Sequence, residues 1–171
     1  MRRSHIVLAT ALSMSTACKE SAAAKFPATE AGAREVLSQF TKPGANAAAL
    51  SLQLRPTSAD YAAVFEGPAA AKLEAAYGPA WDKGAMVISG KPEQTEVRLS
   101  FATSEDLKTG GPGAQNLPGG YKDVATQLKR GVVIYAFKFV KPGQDLGMAF
   151  DGLTHVNGHW VIFPKPWRVL H

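Results

Sequence analysis

Cysteine is almost absent from this chain: its 171 residues contain one, Cys18. No disulfide can form within such a chain, and a zinc centre, which needs several converging ligands, has no second thiolate to draw on. Clustered basic charge is absent too. The longest basic group is Lys129-Arg130, and a formal charge of +5 spread over 19 basic and 14 acidic residues excludes the footprint of a nucleic-acid binder. Signature motifs are also missing. There is no G-x-S-x-G, no H-E-x-x-H, no Asp-rich calcium loop, and the glycine-rich stretch at 108–120 lacks the GK[ST] ending of a phosphate cradle. Neither a metal nor a cofactor is expected.

What is present begins at the N-terminus. Arg2 and Arg3 precede an uncharged stretch from Ile6 to Ala17, which ends in the small residues Ser15, Thr16 and Ala17. This is the layout of a secretory signal, and it is too short for the ~20 residues that a spanning helix requires. A twin-arginine signal would place apolar residues where Ser4-His5 stand. A catalytic thiolate at Cys18 would sit at the edge of an Ala- and Ser-rich segment, without a rigidly held base.

The series Ser15-Thr16-Ala17-Cys18 resembles the lipobox of bacterial lipoproteins, with Ser15 where the family usually has Leu. The resemblance implies cleavage before Cys18 and a diacylglycerol on its sulfur. Each buried CH₂ contributes about 0.8 kcal/mol, so two or more acyl chains hold a protein on a bilayer. Lys19 follows in place of the Asp of inner-membrane retention, which implies the outer membrane of a Gram-negative envelope, facing the periplasm. The other reading of Cys18 is an ordinary thiol behind a cut at Ala11 or Ala17. Removing residues 1–17 lowers the formal charge from +5 to +3. The expected organisation is a signal peptide over 1–17, a lipid-anchored tether over 18–28, and one domain over 29–171.

Within that domain Thr29 is placed to cap a helix whose apolar stripe is Ala33, Val36, Leu37 and Phe40. Thr57 and Asp60 form a capping box for another helix. Pro68 suits the first turn of a third, which Gly78-Pro79 is expected to end. After Gly84 the pattern changes. Val97, Leu99 and Phe101 alternate with polar residues as a half-buried strand, and residues 131–140 read as a central strand covered on both sides. Asn157-Gly158 suits a two-residue type I′ turn, because both positions take positive φ. Residues 108–120 read as a loop, and Glu105-Asp106 as a solvated pair at a strand end. In the closing "FPKPWRVLH", the prolines exclude a ladder, leaving Trp167 to plug one end of the core or to meet a partner.

The hairpin register decides what its histidines can do. With Val156 opposite His159 and His155 opposite Trp160, the two imidazoles face opposite sides of the sheet and cannot share an ion. Uninterrupted alternation places Asp151 and His155 on one face, about 13 Å apart, too far for a direct dyad.

Helices followed by antiparallel strands indicate an α+β fold with the helices packed on one face of a curved antiparallel sheet. This order and the closing "VNGHWVIF" resemble the nuclear transport factor 2 or SnoaL-like, cystatin-like cone over residues 29–163. The resemblance implies a pocket between helices and sheet, used for binding in many members and for isomerase or cyclase chemistry in some. Two functions follow as expectations. One is a non-catalytic envelope lipoprotein binding a small apolar ligand or an envelope protein, with Tyr135, Phe137 and Trp160 lining the pocket. The other is a cofactor-free acid/base enzyme using Asp151 and Tyr135.

Overall fold

A computed structural model describes residues 26–171. Cys18, the expected signal segment and residues 18–25 of the expected tether lie outside the described residues. The rest of that tether belongs to the domain. Phe26 packs against the core, and its carbonyl accepts a hydrogen bond from Trp160 Nε1 at 3.3 Å.

The first half is helical for the reasons its caps suggest. In α1 (Glu30–Ser38) the Thr29 hydroxyl accepts from the Gly32 N–H, and Ala33, Val36 and Leu37 are buried. Asn46 caps α2 (Ala47–Gln53), a helix the periodicity did not reveal. The Thr57–Asp60 capping box opens α3 (Ser58–Val64), with both of its reciprocal hydrogen bonds formed. Pro68 lies in the first turn of α4, as expected, but α4 runs from Gly67 to Asp82 and passes through Gly78-Pro79. Proline has no N–H for the Ala75 carbonyl, at a cost of about 3 kcal/mol. Burial of Trp81 two residues further on offsets it, and so does the 2.6 Å hydrogen bond from Tyr77 Oη to the Pro164 carbonyl.

Four antiparallel strands follow in sequence order as one curled sheet: β1 (Glu96–Thr103), β2 (Val133–Val140), β3 (Gly147–Val156) and β4 (His159–Ile162). The mixed α+β class is as expected, but the helices do not simply precede the strands. Between β1 and β2 the chain forms α5 (Ser104–Thr109) and the short α6 (Gly120–Asp123), and it ends in α7 (Trp167–Leu170). Thr103 and Asp106 make a second capping box at the start of α5, so Asp106 is a helix cap and Glu105 accepts from the Gly131 N–H. The stretch 108–120 therefore starts inside a helix. It also contains a 3₁₀ turn, Ala114–Asn116.

Both faces of the sheet are covered, a correction to helices on one face only. Tyr135, Phe137, Phe139, Leu153, Trp160 and Ile162 form one buried cluster with α1, Leu54, Trp81 and Ile88. Ala102, Ile134, Val161 and Phe163 form the other with residues of α3, α4, α5 and the segment before β2. Alternate residues of β2 thus enter different clusters, as the reading of a doubly covered strand required.

The hairpin closes as the sequence predicted. Asn157 and Gly158 have φ of +50° and +82°, and Val156 pairs with His159. One residue of β3 breaks the alternation. Ala136 pairs with Asp151 and Tyr135 with Leu153, so Gly152 is an extra residue, a β-bulge at φ +88°. A Cβ there would lie 2.1 Å from the Phe163 carbonyl oxygen. The bulge reverses the face of everything before it: Asp151 lies on the side of Ala136, opposite to Leu153 and His155. The expected shared face of Asp151 and His155 is therefore not formed.

Candidate functional site

The register places a row of small side chains on one face of the sheet. Ser100 pairs with Ala136, which pairs with Asp151; in the next row Arg98 pairs with Lys138, which pairs with Ala149. Toward α3 and α5 this face is filled by the buried cluster, but over these two rows the helical layer stops. A groove of about 540 Å³ results, lined by Ser100, Ala136 and Ala149 of the sheet and by Pro118 and Trp167. Trp167 is held edge-on to Tyr121, with ring centroids 4.8 Å apart. The expected aromatic plug at the end of the core is thus also a groove wall.

Asp151 lines the groove while only 3% exposed. The Tyr121 hydroxyl donates to its Oδ1 at 3.0 Å and the Lys165 backbone N–H donates to the same oxygen at 2.8 Å. Among the described residues, Oδ2 receives no hydrogen bond, which leaves it available to a ligand. Burial pushes the Asp151 carboxyl above the ordinary carboxylate range, and the two donors offset part of that shift. Tyr121, fully buried beside this carboxylate, is raised well above the ordinary tyrosine value, first by its own burial. The groove rim is cationic, with Arg98, Lys138 and Lys165 against the exposed Asp145.

A second cavity adjoins the groove along β3. This slot of about 350 Å³ runs past Met148, Ala149, Phe150 and Asp151 and is faced by Trp81 and Met86.

The expected site residues are not all brought together. Asp151 and Tyr135 lie on opposite faces of the sheet, so that pair does not assemble. Tyr135 packs at a tilt on Phe101 and edge-on to Trp160, 5.6 Å from each, and neither Tyr135 nor Trp160 lines the groove or the slot. Phe137 borders the groove while packing on Phe150 at 5.4 Å. Tyr121, Lys138 and Lys165 were not among the expected site residues; nothing local connects Tyr121 to a carboxylate 30 residues away.

The two histidines face opposite sides, as predicted, and each is occupied. His155 packs edge-on to Trp160 at 5.2 Å, and burial lowers its pKa. His159 Nε2 lies 3.1 Å from Oδ2 of Asp60, a fully buried carboxylate that also accepts from the Thr57 N–H, the Thr57 hydroxyl and Asn157 Nδ2. Burial works to raise the Asp60 pKa, but these partners outweigh it and hold the carboxyl below its ordinary value. The capping box was legible; its second task, tying the hairpin turn to α3, was not. Among the described residues no three His, Cys, Asp or Glu side chains converge on a point.

In comparison with known proteins, no family model, no curated protein and no solved structure matches the chain. The class defined by the fold is an α+β domain with a four-stranded antiparallel sheet covered on both faces.

Proposed function

We propose that this chain is a lipid-anchored protein of the cell envelope whose domain is a non-catalytic binding module, with its ligand seated in the groove over Ser100, Ala136, Ala149 and Asp151. The observation that carries it is the groove itself. Small floor side chains leave room for a flat apolar body against Trp167, and the cations Arg98, Lys138 and Lys165 at the rim suit an acidic group on the same molecule. The resemblance to the nuclear transport factor 2 or SnoaL-like cone supports a binding role, since many members of that family bind without catalysis. Attachment in this reading rests on acylated Cys18 at the outer membrane. Among the described residues no helix is long and apolar enough to cross a bilayer.

The test uses 1-anilinonaphthalene-8-sulfonate, an anionic aromatic dye, and its neutral counterpart N-phenyl-1-naphthylamine. Saturable fluorescence enhancement by the anion, lost in Ser100→Trp and weakened in Lys138→Glu, is the expected result. Dye binding that ignores both substitutions refutes the groove. In the same preparation, Cys18→Ala should release the protein from membranes; a variant that stays as firmly bound refutes the anchor.

One observation favours a second reading. Asp151 combines a raised pKa with a place on the groove wall, as a general acid would. In that case the acid acts without Tyr135, and turnover of a substrate that disappears in Asp151→Asn would establish it.

A further inference from the structure

β4 is shorter than the strand it pairs with. Its four residues face Leu153–Val156, after which the chain turns away through Phe163 and Pro164. Among the described residues, Gly147–Asp151 of β3 therefore have β2 on one side and no strand on the other.

The direction of their backbone groups follows from strand parity. The Ile162 N–H donates to the Leu54 carbonyl, away from β3, so the backbone groups of its partner Leu153 turn toward β2. Independent contacts on β1 agree. The carbonyls of Val97 and Phe101 accept from Arg34 and Asn116 on the outer edge, which requires their partners Phe139 and Tyr135 to aim at β3. Phe137 has the same parity. Phe150 and Met148, paired with Phe137 and Phe139, consequently spend their backbone groups on β2. Ala149 and Asp151 aim theirs the other way, and neither takes part in a backbone hydrogen bond with any other described segment. The space they aim into is the slot of about 350 Å³, which continues the line of β4.

The geometry points to strand addition at this edge: the slot receives an extended peptide, antiparallel to β3, with apolar side chains opposite Met148 and Phe150 and an acidic one opposite Ala149. Cross-strand partners share a face, which fixes the pattern. Residues opposite Met148 and Phe150 point toward Trp81, Met86 and Ile88, an apolar wall. A residue opposite Ala149 points to the other face, where Lys138 is the β2 neighbour of Ala149 and Lys165 lines the slot. Neither lysine belongs to any ion pair among the described residues, so both are free to meet a carboxylate. The four residues of β3 that line the slot, Met148–Asp151, make at ~3.3 Å each a track of about 13 Å, walled on its far side, which fits one strand better than the edge of a second sheet.

The probe is the pentapeptide Thr-Val-Glu-Val-Thr carrying fluorescein, added to the full chain in mild detergent and followed by anisotropy and by amide hydrogen exchange. The expected result is saturable binding with protection of the Ala149 amide rising about tenfold or more, while that of Thr154, already paired to β4, stays the same. N-methylation of the glutamate removes the N–H that meets the Ala149 carbonyl, and should weaken binding at least about tenfold, or ~1.4 kcal/mol. Replacing that glutamate with lysine should also weaken it, as should Ala149→Pro in the protein. No saturable binding up to about 1 mM overturns the proposal, and so does equal affinity for the N-methylated peptide. A concentration-dependent dimer abolished by Ala149→Pro would assign the edge to a second copy and overturn it as well.

Discussion

Replacing Gly152 by alanine should destabilise the domain far more than replacing Gly158 by alanine, although the two glycines have nearly the same φ, +88° and +82°. Putting an L-residue at positive φ costs roughly 1–2 kcal/mol in either place. At Gly158 nothing else is added, since no atom lies within 4 Å of the new Cβ. At Gly152 the Cβ would lie 2.1 Å from the Phe163 oxygen and 2.5 Å from its carbonyl carbon, both main-chain atoms that no rotamer change can move. Relief requires shifting the main chain at Phe163, just after β4, which costs about 1–3 kcal/mol as overpacking. It also strains the 2.9 Å hydrogen bond from the Phe163 N–H to the Gly152 carbonyl, for about 1 kcal/mol more. Gly152→Ala should therefore lose about 3 kcal/mol or more against roughly 1–2 for Gly158→Ala. In a domain of this size that corresponds to a Tm lower by about 6–12 °C for the first variant. Urea unfolding followed by fluorescence of the buried Trp160 and Trp81 measures both. Equal losses, within about 0.5 kcal/mol, would refute the bulge as the cause.

Two further outcomes follow from buried carboxylates with opposite pH behaviour. The Asp60 pKa is held below its ordinary 3.8, so its contribution is complete above that pH and disappears as pH falls through the depressed folded value. Asp60→Ala should cost roughly 2–3 kcal/mol at neutral pH, by leaving Asn157 and the Thr57 N–H unpaired, and should flatten the acid limb of the stability curve; denaturant midpoints from pH 7 to 2 check both. Asp151 has the raised value, so the folded state holds its proton more tightly and stability falls as pH rises from 3.8 through the folded pKa. Asp151→Asn keeps an acceptor for Tyr121 and the Lys165 N–H, and a variant whose stability still falls over that window would refute the assignment.

The groove and the slot are two sides of one piece of β3. Ala149, Phe150, Asp151 and Lys165 border both. A ligand in the groove and a strand in the slot would thus share Lys165, so each should weaken the other if both carry a carboxylate to it. Their common cause is a short β4: Pro164 and Pro166 stop the ladder after Ile162 and leave the first half of β3 uncovered.

What the sequence determined by itself is local chemistry. A hydroxyl or carboxylate three residues from the N–H it caps, as at Thr29 and Thr57, closes a ring too small for the rest of the chain to alter. Alternating side chains in β1 and β2, and an Asn-Gly pair with positive φ, are equally self-contained. Where such readings failed, a distant contact had overruled the local preference: Trp81 burial carried α4 past Pro79, and Phe26 was drawn out of the expected tether onto Trp160. The site belongs wholly to tertiary structure. Gly152 looks like any other glycine in sequence, yet the extra residue turns Asp151 away from His155 and delivers it to Tyr121. Asp60 meets His159 across 99 residues. The face on which a strand residue lands depends on every bulge between it and its neighbours, and a bulge exists only where another strand is present to be out of step with.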